Sequence, residues 1–279
     1  MNTVTSIENS DTVAIGGFDG MHVGHQHLFR ELGSNGCVIV IESGHSNITP
    51  NKEREKFTHY PVYYFPLGEI RHLDAEGFVS LLKKRFSRLK KIVVGYDFHF
   101  GKDRAYNFDD LIEIFDGEVV VVDEVKVNNI SVHSHHIRQT LRKGDIKSAN
   151  AFLGHNYTIA GNVIAGQGIG KQSLVATVNL LVKDYLLPKE GVYVTLTRID
   201  DEEHFHPSVT FVGHRATTDG SFAVETHILD GEIECKERAR VSFVDFIRDN
   251  VKFETMDELK KQINRDINIA KKELKMLQL

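Results

Sequence analysis

The pattern of apolar residues changes near residue 154 of the 279-residue chain, and this change limits the possible folds more than any other feature. Before it, strand-like apolar runs alternate with helical patterns. After it, strand-like runs follow one another without helical patterns between them. Alternation predicts a doubly wound α/β domain with a parallel sheet, whereas consecutive short strands predict an antiparallel barrel. We therefore predict two domains, residues 1–153 and residues 154–279.

Three continuous apolar runs in the first half have the length and composition of parallel strands that are covered on both faces. They are Cys37–Glu42, Ile92–Gly95 and Glu118–Asp123. The polar, proline-bearing sequence that follows Glu42 is predicted to be loop. Apolar residues at helical spacing predict four helices, Ala75–Leu89, Phe108–Phe115, His135–Arg142 and Ile146–Leu153. In such a fold the ligand crevice lies at the carboxyl ends of the strands.

The second half contains six strand-like segments in succession, as expected for a compact six-stranded barrel. They are Thr158–Ala165, Ser173–Val182, Val192–Arg198, Ser208–Val212, Ser221–Ile228 and Ala239–Phe246. Thr255 and Glu258 then form a capping-box signature at the start of an amphipathic stripe that runs to Leu277. The chain is therefore predicted to end in a helix that packs across the barrel.

Composition and charge exclude several classes of protein. A net charge of −5 argues against a protein that coats nucleic acid, because binding to a phosphate backbone requires an excess of Lys and Arg. No apolar run reaches the ~18 residues of a membrane helix, and the N-terminus lacks a secretory pattern. Cys37 and Cys235 match neither a disulfide framework nor a zinc spacing. We expect a cytoplasmic protein without nucleic-acid or membrane partners, and the sequence leaves its oligomeric state open.

A string of glycines and histidines follows a strand-like run, Val13–Ile15, and leads into a helical pattern that begins at Val23. It reads Ala14-Ile-Gly-Gly-Phe-Asp-Gly-Met-His-Val-Gly-His-Gln-His-Leu28. A helix that begins after a glycine-bearing loop offers unpaired N–H groups and the positive end of its dipole to an anion. His22 and His25 are three positions apart, so both imidazoles are expected on one side, while Gly24 lets a ligand approach the backbone. The string predicts a phosphate site.

The same string resembles the G-x-F-D-G-x-H-x-G-H-Q signature of bacterial bifunctional riboflavin kinase/FMN adenylyltransferases, also called FAD synthetases. The resemblance implies a Rossmann-like nucleotidyltransferase domain, in which the FMN phosphate attacks the α-phosphorus of ATP to give FAD and pyrophosphate. It assigns catalysis to His22 and His25. It also implies contacts of the nucleotide or its phosphates with Gly17, Phe18, Asp19 and Gly24.

Two further segments of the first half resemble this family. Val94-Gly-Tyr-Asp-Phe-His-Phe-Gly-Lys-Asp-Arg104 is similar to its V-G-x-D-F-x-F-G-x-x-R segment, which implies that Asp97 helps to hold the flavin nucleotide. His133-Ser-His-His-Ile-Arg138 stands where the family usually has Ser-Ser-Thr-x-Ile-Arg before a helix. The resemblance makes Ser134 and Arg138 donors to the ATP phosphates, and it shows His135 in place of the family's threonine.

The start of the second half resembles the riboflavin kinase module of the same family. Its glycine-rich stretch is not a P-loop, because Gly166 is only four positions before Gly170 and Gln172 follows the lysine. The resemblance nevertheless implies contacts of the ATP phosphates with Gly166, Gly168, Gly170 and Lys171.

The next segment, Leu174-Val-Ala-Thr-Val-Asn-Leu180, occupies the place of the family's Gly-Phe-Pro-Thr-Ala-Asn-Leu. Thr177 and Asn179 are retained, and two residues that are two positions apart on a strand face the same side. A hydroxyl and an amide oxygen are hard ligands, which suit Mg²⁺ and the ATP phosphates. Ala176 replaces the family's proline.

A carboxylate of the second half matches the catalytic glutamate of the kinase module. It is Glu225, within Val224-Glu-Thr-His-Ile-Leu-Asp230, and the resemblance implies that it draws the proton from the riboflavin 5′-hydroxyl as this attacks the γ-phosphorus. Val212-Gly-His-Arg-Ala-Thr217 is similar to the family's Ile-Gly-x-Arg-Pro-Thr, with Ala216 for proline.

Taken together, the resemblance implies an enzyme that uses ATP and Mg²⁺ to convert riboflavin to FMN and FMN to FAD. The altered segments leave open an enzyme that retains only one activity, or a flavin-binding regulatory protein without catalysis. The 15 histidines leave open a metal-binding protein of a different class, motivated by the clusters His22-x-x-His25-x-His27 and His133-x-His135-His136.

Overall fold

The computed structural model describes residues 9–165, 177–200, 202–217, 219–229, 231 and 237–276. The chain forms two compact units that divide between Ser134 and His135. The domain boundary expected at residue 154 stays a prediction. At that position Gly154 ends a helix with a left-handed backbone, at φ 75°.

Nine strands are described in the first unit. They are β1 (Thr12–Gly16), β2 (Gly36–Glu42), β3 (Val62–Pro66), β4 (Lys91–Gly95), β5 (His99–Phe100), β6 (Tyr106–Asn107), β7 (Glu118–Val122), β8 (Lys126–Val127) and β9 (Ile130–Ser131). Five of them form a parallel sheet in the order β3-β2-β1-β4-β7. The remaining four form two short antiparallel ribbons. The three predicted apolar strands are confirmed as β2, β4 and β7.

The helices described in the first unit are α1 (Val23–Arg30), α2 (Leu67–Ile70), α3 (Ala75–Arg85) and α4 (Phe108–Ile114), with 3₁₀ turns at Asn51–Phe57 and Lys102–Arg104. The start of α4 has a capping box, in which Asn107 accepts from the backbone of Asp110 and Asp110 accepts from the backbone of Asn107. Helix α3 ends four residues before the predicted Leu89.

The prediction of loop after Glu42 is wrong in part, because this segment contains the edge strand β3 and the short helix α2. It pairs in parallel with β2, from Val62 to Pro66. Its run of strand-forming residues, Val62–Phe65, is short and stands between Pro61 and Pro66, which favour a loop, and only Phe65 of the strand is buried. Proline at its end is tolerated because an edge strand has free hydrogen-bonding positions.

Helices cover both faces of the parallel sheet. Successive side chains of a strand point to opposite faces. Val13 of β1 belongs to the same apolar cluster as Phe78 of α3, whereas the next residue, Ala14, belongs to a cluster with Phe29 of α1. This arrangement confirms the doubly wound fold predicted for the first half.

The second unit begins with a pair of helices and continues into a barrel. The helices are α5, which starts at the unit boundary (Ser134–Lys143), and α6 (Ile146–Leu153), and they are broken at Gly144 as predicted. The strands are β10 (Thr158–Ile164), β11 (Val178–Val182), β12 (Gly191–Ile199), β13 (His206–His214), β14 (Phe222–Ile228) and β15 (Arg238–Asp249). They close in the order β10-β11-β14-β13-β12-β15, which confirms the six-stranded antiparallel barrel.

A chain of buried hydroxyl groups crosses the barrel strands. Thr195 Oγ1 lies 2.8 Å from both Ser208 Oγ and Thr210 Oγ1, and Thr210 in turn bonds Thr226. All four residues are fully buried. Because each hydroxyl can donate one bond and accept others, the chain satisfies polar groups that would otherwise be costly to bury.

The chain's last described element is α7 (Met256–Met276), as predicted. Thr255 Oγ1 accepts from the N–H of Glu258, while the Glu258 carboxylate accepts from the N–H of Glu254 rather than from that of Thr255. Ala270 and Leu274 of the helix pack on apolar residues of β12 and β13. The predicted helix across the barrel is therefore confirmed.

A buried ion pair also joins α7 to the barrel. The carboxylate of Asp266, which is 2% exposed, accepts from Nε and Nη2 of Arg248 on β15, at 2.8–3.1 Å, and from Gln262. Replacing Asp266 with alanine is expected to lower the free energy of unfolding by about 2–3 kcal/mol, because it leaves the partly buried guanidinium without its partner. Chemical denaturation measures the change. Arg265→Ala, on the exposed face of the same helix, is the matched control, and an equally small effect of both variants would contradict this prediction.

Candidate active sites

A cavity of about 440 Å³ opens in the first unit at the carboxyl ends of the parallel strands. The residues that line it follow β1, β2, β4 and β7, together with the last residues before α5. Loops that leave parallel strands meet at this edge, which is where open α/β sheets bind their ligands. The cavity therefore lies at the crevice predicted from the sequence.

Two stacked histidines lie at the start of α1 on the cavity wall. His22 is the N-cap residue, and its Nδ1 accepts from the N–H of His25 at 3.3 Å. The ring centroids of His22 and His25 are 3.4 Å apart, with 19° between the ring planes. Because Nδ1 of His22 accepts a bond, the neutral ring carries its proton on Nε2 and can donate from that atom.

The glycine-histidine loop is held in a tight and strained conformation. Phe18 and Met21 have left-handed backbones, at φ 49° and 45°, which are unfavourable for residues with side chains. Both side chains are fully buried, so packing enforces the conformation. A Cβ atom on Gly24 would lie 3.2 Å from the His22 ring, which explains the glycine between the two histidines.

Asp19 supports this loop from behind and does not line the cavity. Its carboxylate accepts from three consecutive backbone N–H groups, those of Asn47, Ile48 and Thr49, at 2.9–3.2 Å. The hydroxyl of Thr49 in turn accepts from the N–H of Gly20. These bonds tie the loop to the segment after β2.

The other predicted residues of the first unit are placed as follows. Gly17, Phe18, Gly24, Asp97 and Ser134 line the cavity. The hydroxyl of Ser134 donates to the carbonyl of Asp19 at 2.7 Å. Arg138 and His135 belong to the second unit, so the predicted contact of Arg138 with ATP phosphates stays a prediction.

Sequence reasoning missed several residues of the cavity wall. His133 places its Nε2 3.0 Å from the Tyr96 hydroxyl and its Nδ1 3.8 Å from the carboxylate of Asp97. Arg71 and Arg104 bring positive charge to the wall. His133 begins one of the two segments that resemble the family, and Arg104 ends the other. The resemblance could therefore have pointed to both residues. No such signal pointed to Arg71, because it lies after strand β3, which the sequence analysis did not predict.

Burial lowers the pKa of His25 well below its ordinary value of 6.5, and the nearby His22, Arg54 and His133 lower it further. The ring is therefore neutral at physiological pH, and its Nδ1 is a buried polar atom without a protein partner among the described residues.

This pKa shift predicts a pH dependence of stability. Below about pH 6.5 the unfolded chain takes up a proton on His25 that the folded chain does not, so the free energy of unfolding falls as the pH is lowered. Above that pH, neither state is protonated and the effect vanishes. His25→Gln is expected to remove this part of the pH dependence in denaturation experiments, whereas His45→Gln, at an exposed position, serves as the control. Identical pH profiles for wild type and His25→Gln would contradict the prediction.

The candidate site of the second unit lies where β11, β14 and the loop after β13 meet. Asn179 and Glu225 are direct cross-strand partners. Arg215 joins them, because its Nη2 donates to Asn179 Oδ1 at 2.8 Å and to Glu225 Oε1 at 2.6 Å, and its Nε also donates to Glu225 Oε1. Its Nη1 donates to Ser221 at 2.7 Å. No described residue donates to the other carboxylate oxygen, Oε2.

The loop that carries Arg215 is fixed by backbone bonds. The N–H of Ala216 donates to the carbonyl of His214 at 2.7 Å, a bond that the family's proline could not make. Arg215 donates its N–H to Ser221, and Gly220 donates to Arg215. Ala216 therefore helps to fix the loop through a backbone hydrogen bond that proline lacks.

Of the remaining residues predicted for the second site, only some belong to the part of the chain that the structure describes. Thr177 is exposed and directly precedes β11, two positions before Asn179. Gly166, Gly168, Gly170, Lys171 and Ala176 lie outside the described residues. Arg215 was missed by sequence reasoning, although it is the arginine of the segment similar to Ile-Gly-x-Arg-Pro-Thr.

Comparison with known proteins matches both halves of the chain. A family model described as FAD synthetase matches residues 48–136, and one described as riboflavin kinase matches residues 153–274. The bifunctional riboflavin kinase/FMN adenylyltransferase of Pseudomonas fluorescens is 30% identical over 285 residues, which cover 92% of this chain and 91% of the relative. That of Listeria monocytogenes is 28% identical, over 91% and 89% of the two chains.

One solved structure matches the whole fold. A crystal structure described as that of a macrolide-efflux protein from Streptococcus pneumoniae has a TM-score of 0.83 and 29% identity, over 97% of this chain and 96% of the other. In the described part of the present chain, no helix is long and apolar enough to cross a membrane.

The two family models, matched to a doubly wound domain and a six-stranded barrel, define a two-module transferase of phosphorus-containing groups. The end-to-end similarity to the Pseudomonas and Listeria enzymes makes the assignment specific. The chain belongs to the bifunctional riboflavin kinase/FMN adenylyltransferase family.

Proposed function

We propose that this chain catalyses both reactions of its family, the phosphorylation of riboflavin to FMN at the barrel and the transfer of AMP from ATP to FMN in the first unit. The observation that carries the proposal is the similarity to bifunctional relatives over more than nine-tenths of both chains. The two clusters of polar residues described above supply a candidate site for each reaction.

In the first unit, we assign phosphate alignment to His22 and His25. A phosphate oxygen of FMN attacks the α-phosphorus of ATP in line, a P–O bond forms, and pyrophosphate leaves with the electrons of the broken bond. No covalent enzyme intermediate is needed, so the protein aligns two anions and neutralises growing negative charge. The Nε2 donor of His22, the start of α1, and Arg71 and Arg104 on the wall suit that task.

The other contacts predicted for the adenylyl-transfer site are assigned different roles. Gly17, Phe18, Gly24 and Ser134 line the cavity and are proposed to contact the nucleotide, while Asp97 is proposed to contact the flavin nucleotide. Arg138 keeps its proposed role at the ATP phosphates. Asp19 is instead assigned to supporting the loop, because a carboxylate repels phosphate and its oxygens already accept three N–H groups.

In the barrel, we assign the general base to Glu225. Its carboxylate takes the proton of the riboflavin 5′-hydroxyl while the hydroxyl oxygen bonds to the γ-phosphorus of ATP, and ADP leaves. Arg215 is a positioning residue, since it fixes one carboxylate oxygen and leaves Oε2 for the substrate. Gly166, Gly168, Gly170 and Lys171 are proposed to contact the ATP phosphates.

The oxygen atoms of the barrel site fit Mg²⁺, which would neutralise charge on the ATP phosphates when bound. Asn179 supplies an amide oxygen and pairs with Glu225 across the strands, and Thr177, two positions before it, supplies a hydroxyl. We propose that Thr177 and Asn179 hold the ion. Asn179 Oδ1 now accepts from Arg215, so ion binding would exchange that bond for a metal contact.

The proposed compartment is the cytoplasm. Cys37 is a free and fully buried thiol, and burial raises its pKa to about 12. An unreactive free thiol of this kind is typical of proteins in a reducing environment.

Purified protein incubated with riboflavin, ATP and Mg²⁺ tests both activities when FMN and FAD are resolved by chromatography. We expect FMN to form first and FAD to follow, and FAD to form directly when FMN is supplied. Absence of FMN from riboflavin would refute the kinase assignment. Absence of FAD from added FMN would refute the adenylyltransferase assignment. Omission of Mg²⁺, with a chelator present, is expected to stop both reactions.

A further inference from the structure

The hairpin between β12 and β13 carries a cluster of metal-binding side chains far along the strands from Glu225. Three residues of the segment Glu202-Glu-His-Phe-His206 contribute to it, Glu202, His204 and His206. One ligand atom of each lies within 4.8 Å of the others. No step of the two proposed reactions uses these residues.

The distances within the cluster are close to those of a metal site. Glu202 Oε2 lies 2.6 Å from His206 Nε2 and 3.7 Å from His204 Nε2. Two ligands on a tetrahedral zinc ion, with bonds of about 2.0–2.1 Å, are about 3.3 Å apart. The measured separations lie on either side of this value, so small side-chain rotations suffice to bring the donors to a common ion.

The backbone holds the cluster in place. Asp200 accepts from the N–H groups of Glu237 and Arg238 and donates its own N–H to the Arg238 carbonyl, which anchors one end of the hairpin to β15. His206 anchors the other end, as the first residue of β13, where it pairs with Thr197.

The two histidines lie together, His206 at the start of β13 and His204 in the bend before it. His204 and His206 are two positions apart, with ring centroids at 4.5 Å. The residue between them, Phe205, packs instead under the guanidinium of Arg198, whose Cζ lies 5.5 Å from the ring centre. The aromatic ring thus contacts Arg198, and both imidazoles lie beside Glu202.

We propose that Glu202, His204 and His206 bind one divalent transition-metal ion of the zinc class. Two imidazole nitrogens and one carboxylate oxygen form a ligand set that favours Zn²⁺, whereas Mg²⁺ prefers oxygen ligands in octahedral geometry. Three protein ligands leave a fourth position for water, and His204 is largely exposed, so the ion enters from solvent. Its binding clamps the β12–β13 hairpin.

Calorimetric titration of metal-free full-length protein with Zn²⁺, in excess Mg²⁺, tests the proposal. We expect one site per chain that Mg²⁺ does not fill and whose affinity falls at least about tenfold in His204→Ala and in His204→Ala/His206→Ala. His214→Ala is the matched control, since His214 also pairs with a glutamate, Glu190 at 2.9 Å, on the same barrel but without a second histidine. This control is expected to retain the site.

Thermal unfolding provides a second measurement on the same proteins. Zn²⁺ should raise the unfolding temperature of the wild type and of His214→Ala but not that of the double variant, because an ion that binds only the folded state stabilises it. His204→Ala alone, at an exposed position, guards against a variant that fails to fold. No zinc binding at micromolar concentrations, or binding that is unchanged in the double variant, would overturn the proposal. The latter result would assign the ion to other histidines.

Discussion

Replacement of Glu225 with glutamine is expected to slow the formation of FMN from riboflavin by about 10²–10⁴-fold, the usual contribution of a general base. Glutamine has the same shape and still offers an oxygen to Arg215, but it cannot take the proton of the 5′-hydroxyl. The formation of FAD from added FMN should continue at the wild-type rate. The measurement is the initial rate of each product, resolved by chromatography.

A second substitution separates proton transfer from the positioning of the carboxylate. Arg215→Lys keeps the positive charge, but one ammonium group cannot reproduce the planar fork that reaches Glu225, Asn179 and Ser221 together. We expect a smaller loss of FMN formation than in Glu225→Gln, with the pH profile retained. In Glu225→Gln, any limb of that profile that depends on the base should disappear.

The matched control for Glu225→Gln is Asp249→Asn on the same barrel. Asp249 is exposed and pairs with Lys189 at 2.5 Å, a surface ion pair that contributes little to stability. This variant should form FMN like the wild type. Wild-type FMN formation by Glu225→Gln would show that another group accepts the proton.

Replacement of His22 with asparagine is expected to slow the formation of FAD from FMN by about 10²–10³-fold, as is typical when one donor to a developing negative charge is removed. Asparagine is a preferred N-cap residue, so its side chain can still accept from the N–H at the start of α1. The substitution thus removes the ring donor while it preserves the helix start. FMN formation from riboflavin should be unchanged.

Two further variants serve as comparisons for His22→Asn. His22→Ala removes both the donor and the helix cap, so it should lose the same activity and about 1 kcal/mol of stability besides. His27→Asn, on the same helix but not on the cavity wall, should behave like the wild type. Full FAD formation by His22→Asn would move the phosphate contact to other residues of the wall, such as Arg71 and Arg104.

The first site shows how strain and support produce a phosphate loop. Phe18 and Met21 adopt left-handed backbones at a cost of about 1–3 kcal/mol each. Burial of both side chains and the bonds from Asp19 to residues 47–49 stabilise that conformation. The loop is therefore fixed before any ligand binds, which spares the ordering cost on binding.

The sequence by itself determined the features that depend on local order along the chain. Glycines before a helical apolar face predicted the strand, loop and helix around His22, and continuous or successive apolar runs predicted the parallel sheet and the six barrel strands. These features could be predicted because the secondary structure of each element depends mainly on the spacing of apolar residues within that element. The resemblance, likewise local, assigned His22, His25, Asp97, Asn179 and Glu225 to two sites.

Only the tertiary structure decided which residues meet across the chain. Strand β3 escaped prediction because its four strand-forming residues stand between two prolines, Pro61 and Pro66, which favour a loop. Asp19 bonds backbone groups 28–30 positions away, and Arg215 reaches Asn179 36 positions away. No local pattern encodes such contacts, since they follow from strand register and loop closure rather than from the identity of neighbouring residues. The string at His22 predicted an anion loop, but the fold decided that Asp19 supports the loop and that Arg215 holds the Glu225 carboxylate.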